Sequence, residues 1–98
     1  MANSLPVKKD SVPARPKPTA GLYPNPAKNK VEIDIRGFDG GYVQVQLLNI
    51  NGKVVREEKR LLFSGNEIIV FMFSESPGLY YLLVKQGMQM LKKKLVIQ

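Results

Sequence analysis

At 98 residues the chain has room for one small domain and no second core, and with 44% apolar and 23% charged residues it is too apolar for wholesale disorder. Neither Cys nor His occurs, which excludes disulfides, thiolate and imidazole metal ligands, and the commonest general base and pH switch. The net charge of +7 favours anionic partners, but +3 of it falls in residues 1–20 and +4 in residues 21–98, so the larger part is only mildly basic.

No stretch approaches the roughly 18 apolar residues that span a membrane. Lys8, Lys9 and Asp10 interrupt the start where a secretory leader would carry its apolar run. If the native protein is exported, the sequence is therefore a fragment of it, with residues 1–4 an expression remnant. Pro6, Pro13, Pro16 and Pro18 among Lys, Ser, Ala and Thr make residues 1–20 a flexible, polyproline-like linker. Tyr23, Pro24, Asn25 and Pro26 follow, where two prolines fix φ and hold Tyr23 and Asn25 extended as a stiff entrance to residues 21–98.

From residue 21 onward the hydrophobic period is two, with a turn signal about every ten residues, which predicts an all-β sandwich or barrel of six or seven strands and no helix. Residues 31–35 alternate, with Val31, Ile33 and Ile35 inward and Glu32 and Asp34 in water opposite Lys or Arg. After the glycine-rich turn at residues 37–41, residues 42–48 place Val43, Val45 and Leu47 inward. Asn51-Gly52 predicts a type I′ hairpin turn pairing residues 44–49 with residues 53–59. Residues 64–66 turn again, and the nearly continuous apolar run of residues 67–73 reads as a strand covered on both sides. Pro77-Gly78 suits the centre of a type II turn. Residues 79–85 form the next strand, Gln86-Gly87 turns it, and residues 88–97 return as its partner, so that the last strand runs up to Gln98 and offers the terminus to be read.

Chemistry-bearing clusters are absent from this pattern. Glu32 with Asp34 and Glu57 with Glu58 are its nearest approach to paired carboxylates, and no phosphate-binding glycine loop or metal-ligand spacing occurs, so no cofactor and no catalysis are expected. Lys92, Lys93 and Lys94 alternate between faces and lack interleaved aromatics, which argues against nucleic acid and for protection of an edge strand.

Four pieces in order, Tyr23-Pro24-Asn25-Pro26, Gly52-Lys53-Val54-Val55, Pro77-Gly78-Leu79-Tyr80-Tyr81-Leu82-Leu83-Val84 and Lys93-Lys94-Leu95-Val96-Ile97, together resemble the C-terminal sorting domain of type IX secretion cargo, type A, over about residues 21–98. The resemblance implies an immunoglobulin-like antiparallel β-sandwich, known from Bacteroidetes, that follows a linker and addresses its cargo from the periplasm across the outer membrane to the cell surface or the medium. It implies the type IX translocon and its shuttle or sortase proteins as partners, cleavage in the linker, and attachment of the cargo to anionic lipopolysaccharide. Carried onto this chain, the signal residues are Pro77, Gly78, Tyr80, Lys94, Leu95, Val96 and Ile97, the entrance motif is Tyr23, Pro24, Asn25 and Pro26, and the cleavage region is Thr19, Ala20 and Gly21, where small residues leave the backbone accessible. Gln98 stands where such domains often end on a basic or apolar residue.

Two other readings stand beside this one. An immunoglobulin-like binding module could hold glycan, lipopolysaccharide or a partner protein on Tyr23, Tyr42, Tyr80 and Tyr81 if these are exposed together, and a sensor component would dock a partner and report secretion status. Open edge strands also allow a strand-swapped homodimer.

Overall fold

The computed structural model describes residues 17–98. Seven strands run in chain order: β1 Thr19–Tyr23, β2 Lys30–Arg36, β3 Gly41–Leu48, β4 Val54–Leu62, β5 Glu67–Met72, β6 Gly78–Gln86 and β7 Gln89–Ile97. They form two antiparallel sheets, ordered β1-β2-β5 and β4-β3-β6-β7, and no helix occurs among the described residues. The chain crosses between sheets after β2, β4 and β5 and stays in one sheet through the β3–β4 and β6–β7 hairpins. This is the immunoglobulin-like sandwich that the period-two pattern and the resemblance predict.

Alternation builds the core. Val31, Ile33 and Ile35 from β2 meet Val43, Val45 and Leu47 from β3, and Phe71, Leu82, Val84, Leu95 and Ile97 complete a single buried cluster shared by the two sheets. Each such side chain contributes roughly 1.5–3 kcal/mol of burial energy before the cost of ordering it. All six inward positions predicted on β2 and β3 are buried.

Local details depart from the sequence reading in three places. The β3–β4 hairpin forms as expected, but its turn is centred one residue earlier than a type I′ turn on Asn51-Gly52. Gly52 N donates to Asn49 O at 2.9 Å and Asn49 N donates to Lys53 O at 2.9 Å, leaving a three-residue loop closed by Gly52 at φ +83°. Asn49 explains the shift: its Oδ1 accepts from the backbone N–H groups of both Asn51 and Lys53, and the pairing slips by one residue between Leu47 and Leu48.

Residues 67–73 are not covered on both sides. On β5, Ile68, Val70 and Met72 face solvent while Ile69 and Phe71, with Phe73 just beyond the strand, face the core, because the other sheet packs against only one face; β5 is also an edge strand, paired with β2 alone. Pro77-Gly78 is not the centre of a type II turn either: Gly78 opens β6 opposite Ile97, with φ +157°.

Candidate functional site

The two segments that carry the resemblance at opposite ends of the sequence lie side by side. β7 pairs with β6 along one edge, with Leu79 opposite Val96 and Tyr80 opposite Leu95. Its other edge meets the segment after β1. The Asn25 side chain acts there as a short stretch of strand: its Nδ2 donates to Lys94 O at 2.9 Å, and its Oδ1 accepts from Val96 N at 3.0 Å. Main chain takes over where the side chain ends. Ala27 N donates to Val96 O at 2.8 Å, Gln98 N donates to Ala27 O at 2.7 Å, and Ala27 forms a parallel bridge with Ile97.

Asn25 has proline on both sides, and neither Pro24 nor Pro26 has an N–H to donate, so within residues 24–26 every donor belongs to Asn25, and its side chain supplies the one bonded to Lys94 O. Both the Tyr23–Pro24 and Asn25–Pro26 bonds are cis. The outcome is a clasp that covers the edge of β7 from Lys94 to Gln98 and, among the described residues, leaves the edge towards Met90 and Lys92 open, since residues two apart turn their backbone groups the same way. A sequence signal for the clasp exists in hindsight: a residue with both donor and acceptor between two prolines.

The proposed signal residues divide by burial. Leu95 and Ile97 are core, at 0% and 2% exposure, and Val96 is half-buried. Lys94, Pro77 and Gly78 are exposed. Tyr80 is half-buried, and its hydroxyl donates to Ser76 O at 2.7 Å across the loop that precedes β6. A tyrosine near the start of a strand that bonds back a few residues upstream is the corner that fixes this connection in immunoglobulin-like domains. Pro77, Gly78 and Tyr80 thus shape the turn into β6, and Gly78 lies opposite Ile97.

Thr19, Ala20 and Gly21 do not form an accessible stretch of linker. They open β1, paired with Arg36, Ile35 and Asp34, and Ala20 is 4% exposed. Among the described residues, regular structure therefore begins at Thr19, before residue 21. The expected properties of residues 1–16 lie outside the described residues.

Charged groups arrange themselves differently from the cross-strand pairs expected. Glu32 lies between Tyr23 and Val70, and Asp34 pairs with Arg36 on its own strand at 2.9 Å. The Asp34 hydrogen bond and charge hold the Arg36 guanidinium above its ordinary range. On the side of the sandwich where the edges of the two sheets meet, Arg60 on β4 donates to Val70 O on β5 at 2.6 Å and to Glu58 at 3.1 Å. Arg56 reaches Ser74 Oγ at 3.2 Å and Glu75 at 3.3 Å.

Lys92 and Lys94 share the outer face of the four-stranded sheet, while Lys93 is opposite the buried Leu82, as alternation requires. Lys92 Nζ lies 4.8 Å from the Tyr81 ring centroid. The four tyrosines do not form one surface: Tyr23 belongs to the three-stranded sheet, Tyr42 and Tyr81 to the four-stranded one, and Tyr80 is engaged at its corner. No group of three or more acidic side chains able to hold a metal ion occurs among the described residues.

Comparison with known proteins returned no match among curated proteins. The sequence profile of a family described as a secretion system C-terminal sorting domain matches residues 21–98, the whole sandwich apart from the first two residues of β1. The chain therefore belongs to the C-terminal sorting domains of the type IX secretion system, signals that take the proteins bearing them to the outer membrane and on to the cell surface or the medium.

Proposed function

We propose that the domain is read as a folded address, and that the surface read is the β6–β7 hairpin together with the Asn25 clasp. The observation that supports this most is the set of hydrogen bonds joining Asn25 and Ala27 to Lys94, Val96 and Gln98, which turns the entrance motif and the last strand into one surface. Lys94, Pro77 and Gly78 are the groups there that a partner can touch without unfolding the core. Leu95, Val96, Ile97 and Tyr80 act by holding that surface in shape.

In this reading the cargo crosses the periplasm with the domain folded, and translocon or shuttle proteins bind the clasped edge. A surface sortase then cuts ahead of β1, and the cargo passes to anionic lipopolysaccharide. Pairing of residues 19–21 with β2 supports cleavage before Thr19, since a protease needs an extended, unpaired backbone.

The test is a fusion of residues 1–98 behind a signal peptide and a fluorescent protein in a bacterium with a type IX system. Delivery to the surface or medium is the expected result. Retention of an intact, folded fusion in the periplasm overturns the autonomous address. Deleting residues 95–98 is expected to strand the fusion, but it also removes Leu95 and Ile97 from the core. The exposed substitution Lys94→Glu is therefore the decisive variant, and normal display of it with an intact fold refutes recognition at this surface.

A further inference from the structure

The outer face of the four-stranded sheet carries a further feature, away from the clasp. Register places Lys59, Gln44 and Lys85 in one row across β4, β3 and β6. Adjacent strands lie about 4.8 Å apart, so the two lysine backbones stand about 10 Å apart with Gln44 between them. Their side chains flank a shallow groove of about 390 Å³, lined also by Tyr42, Gln86 and Gly87, with no acidic residue in its lining.

Like charges brought into one row repel unless an anion lies between them. The only acid at an outward position of these four strands is Glu57, and its Oε2 already accepts from Gln44 Nε2 and Gln46 Nε2, each at 2.6 Å. Neither Lys59 nor Lys85 has an ion pair among the described residues. The wall of the groove is fixed: Gln86 accepts from Asp39 N at 2.9 Å and donates to Asp39 O at 2.8 Å. Tyr42, 63% exposed, stands at the groove with Lys59 Nζ 5.6 Å from its ring centroid.

We propose that this groove is a binding site for a phosphorylated sugar, with the phosphate between Lys59 and Lys85 and the sugar against Tyr42 and Gln44. The two ammoniums supply charge-assisted donors to the oxyanion. The groove falls within the size range of small-ligand sites and is larger than a bare phosphate needs. Lys59 lies over one face of the Tyr42 ring, and the exposed hydroxyl of Tyr42 can hydrogen-bond a sugar. Lys85, Gln86 and Gly87 lie in the β6–β7 hairpin, but none of the site's residues belongs to the clasp, and its test reads ligand binding rather than export.

The experiment is an NMR titration of the labelled 98-residue chain with glucose 6-phosphate, glucose, inorganic phosphate, AMP and a short poly-glutamate peptide. Saturable shifts confined to Tyr42, Gln44, Lys59, Lys85, Gln86 and Gly87 are expected with glucose 6-phosphate. Binding is expected to weaken about tenfold in Lys59→Gln/Lys85→Gln, as loss of charge-assisted hydrogen bonds implies, with the thermal midpoint unchanged. Shifts spread equally over Lys92 and Lys94, equal binding of glucose or inorganic phosphate, or tighter binding of AMP or the peptide each overturn the assignment.

Discussion

The Asn25 side chain accepts a hydrogen bond from Val96, 71 residues away in sequence, at 3.0 Å, and donates another to Lys94 at 2.9 Å. One carboxamide thus ties the start of the domain to its last strand. Asn25→Ala removes both bonds and is expected to cost about 1 kcal/mol, as for exposed intramolecular hydrogen bonds. Hydrogen exchange at the Val96 amide should quicken while amides in the centre of β3 stay protected. Unchanged Val96 protection would show that the clasp does not close in solution.

The entrance motif and the last strand were each legible in the sequence, but their contact was not. Alternation placed Val31, Ile33, Ile35, Val43, Val45 and Leu47 correctly because a strand's facing follows from its own residues. Whether a strand's second face is covered depends on what packs against the sheet, so the apolar run at β5 read as covered on both sides and is not. The same limit applies to Lys59 and Lys85, which are 26 positions apart and meet only through their common neighbour Gln44. At the β3–β4 turn, a local competitor, the Asn49 side chain, decided the geometry over the Asn-Gly preference.

Gly65 is required for a different reason from any turn preference. A Cβ there would stand 1.6 Å from Phe38 O, in the contact where Phe38 N donates to Gly65 O at 3.2 Å. Gly65→Ala must push apart the loops at residues 37–41 and 63–66, at a cost of about 3 kcal/mol, typical of severe overpacking. Gly40→Ala meets its nearest atom at 3.6 Å, an ordinary contact, and is the control. Urea midpoints of the two variants should differ clearly; similar values would refute the close approach.

Tyr80→Phe keeps the ring and deletes only the hydroxyl that bonds Ser76 O. The expected loss is about 1 kcal/mol, seen as a lower thermal midpoint, with the loop at residues 74–77 more easily cleaved by protease. If that loop is as resistant as in the parent, the corner does not hold it.

Arg60 protects β5. Its guanidinium occupies Val70 O on an edge strand that also exposes Ile68 and Met72, at 57% and 60%. Freed edges with apolar faces invite pairing with a second chain. Arg60→Ala should therefore promote concentration-dependent association in sedimentation experiments, and adding Met72→Lys should reverse it. A monomeric Arg60→Ala variant at all concentrations would exclude β5 as the self-association edge.

Lys94 and Leu95 are neighbours in sequence with opposite duties, which makes them the sharpest test of how the last strand is read. Leu95 is fully buried opposite Tyr80, so Leu95→Ala creates a cavity and should cost about 2–5 kcal/mol. Lys94→Glu changes an exposed side chain on the outer face and should alter stability by about 0.5 kcal/mol or less. If a partner reads the folded surface, export fails in Lys94→Glu although its melting temperature is that of the parent. It should also fail in Leu95→Ala only in proportion to the unfolded fraction. Should export instead survive Lys94→Glu and collapse in Leu95→Ala at temperatures where that variant is still folded, the machinery reads the strand's inward side chains. The β6–β7 hairpin would then have to open before it is recognised.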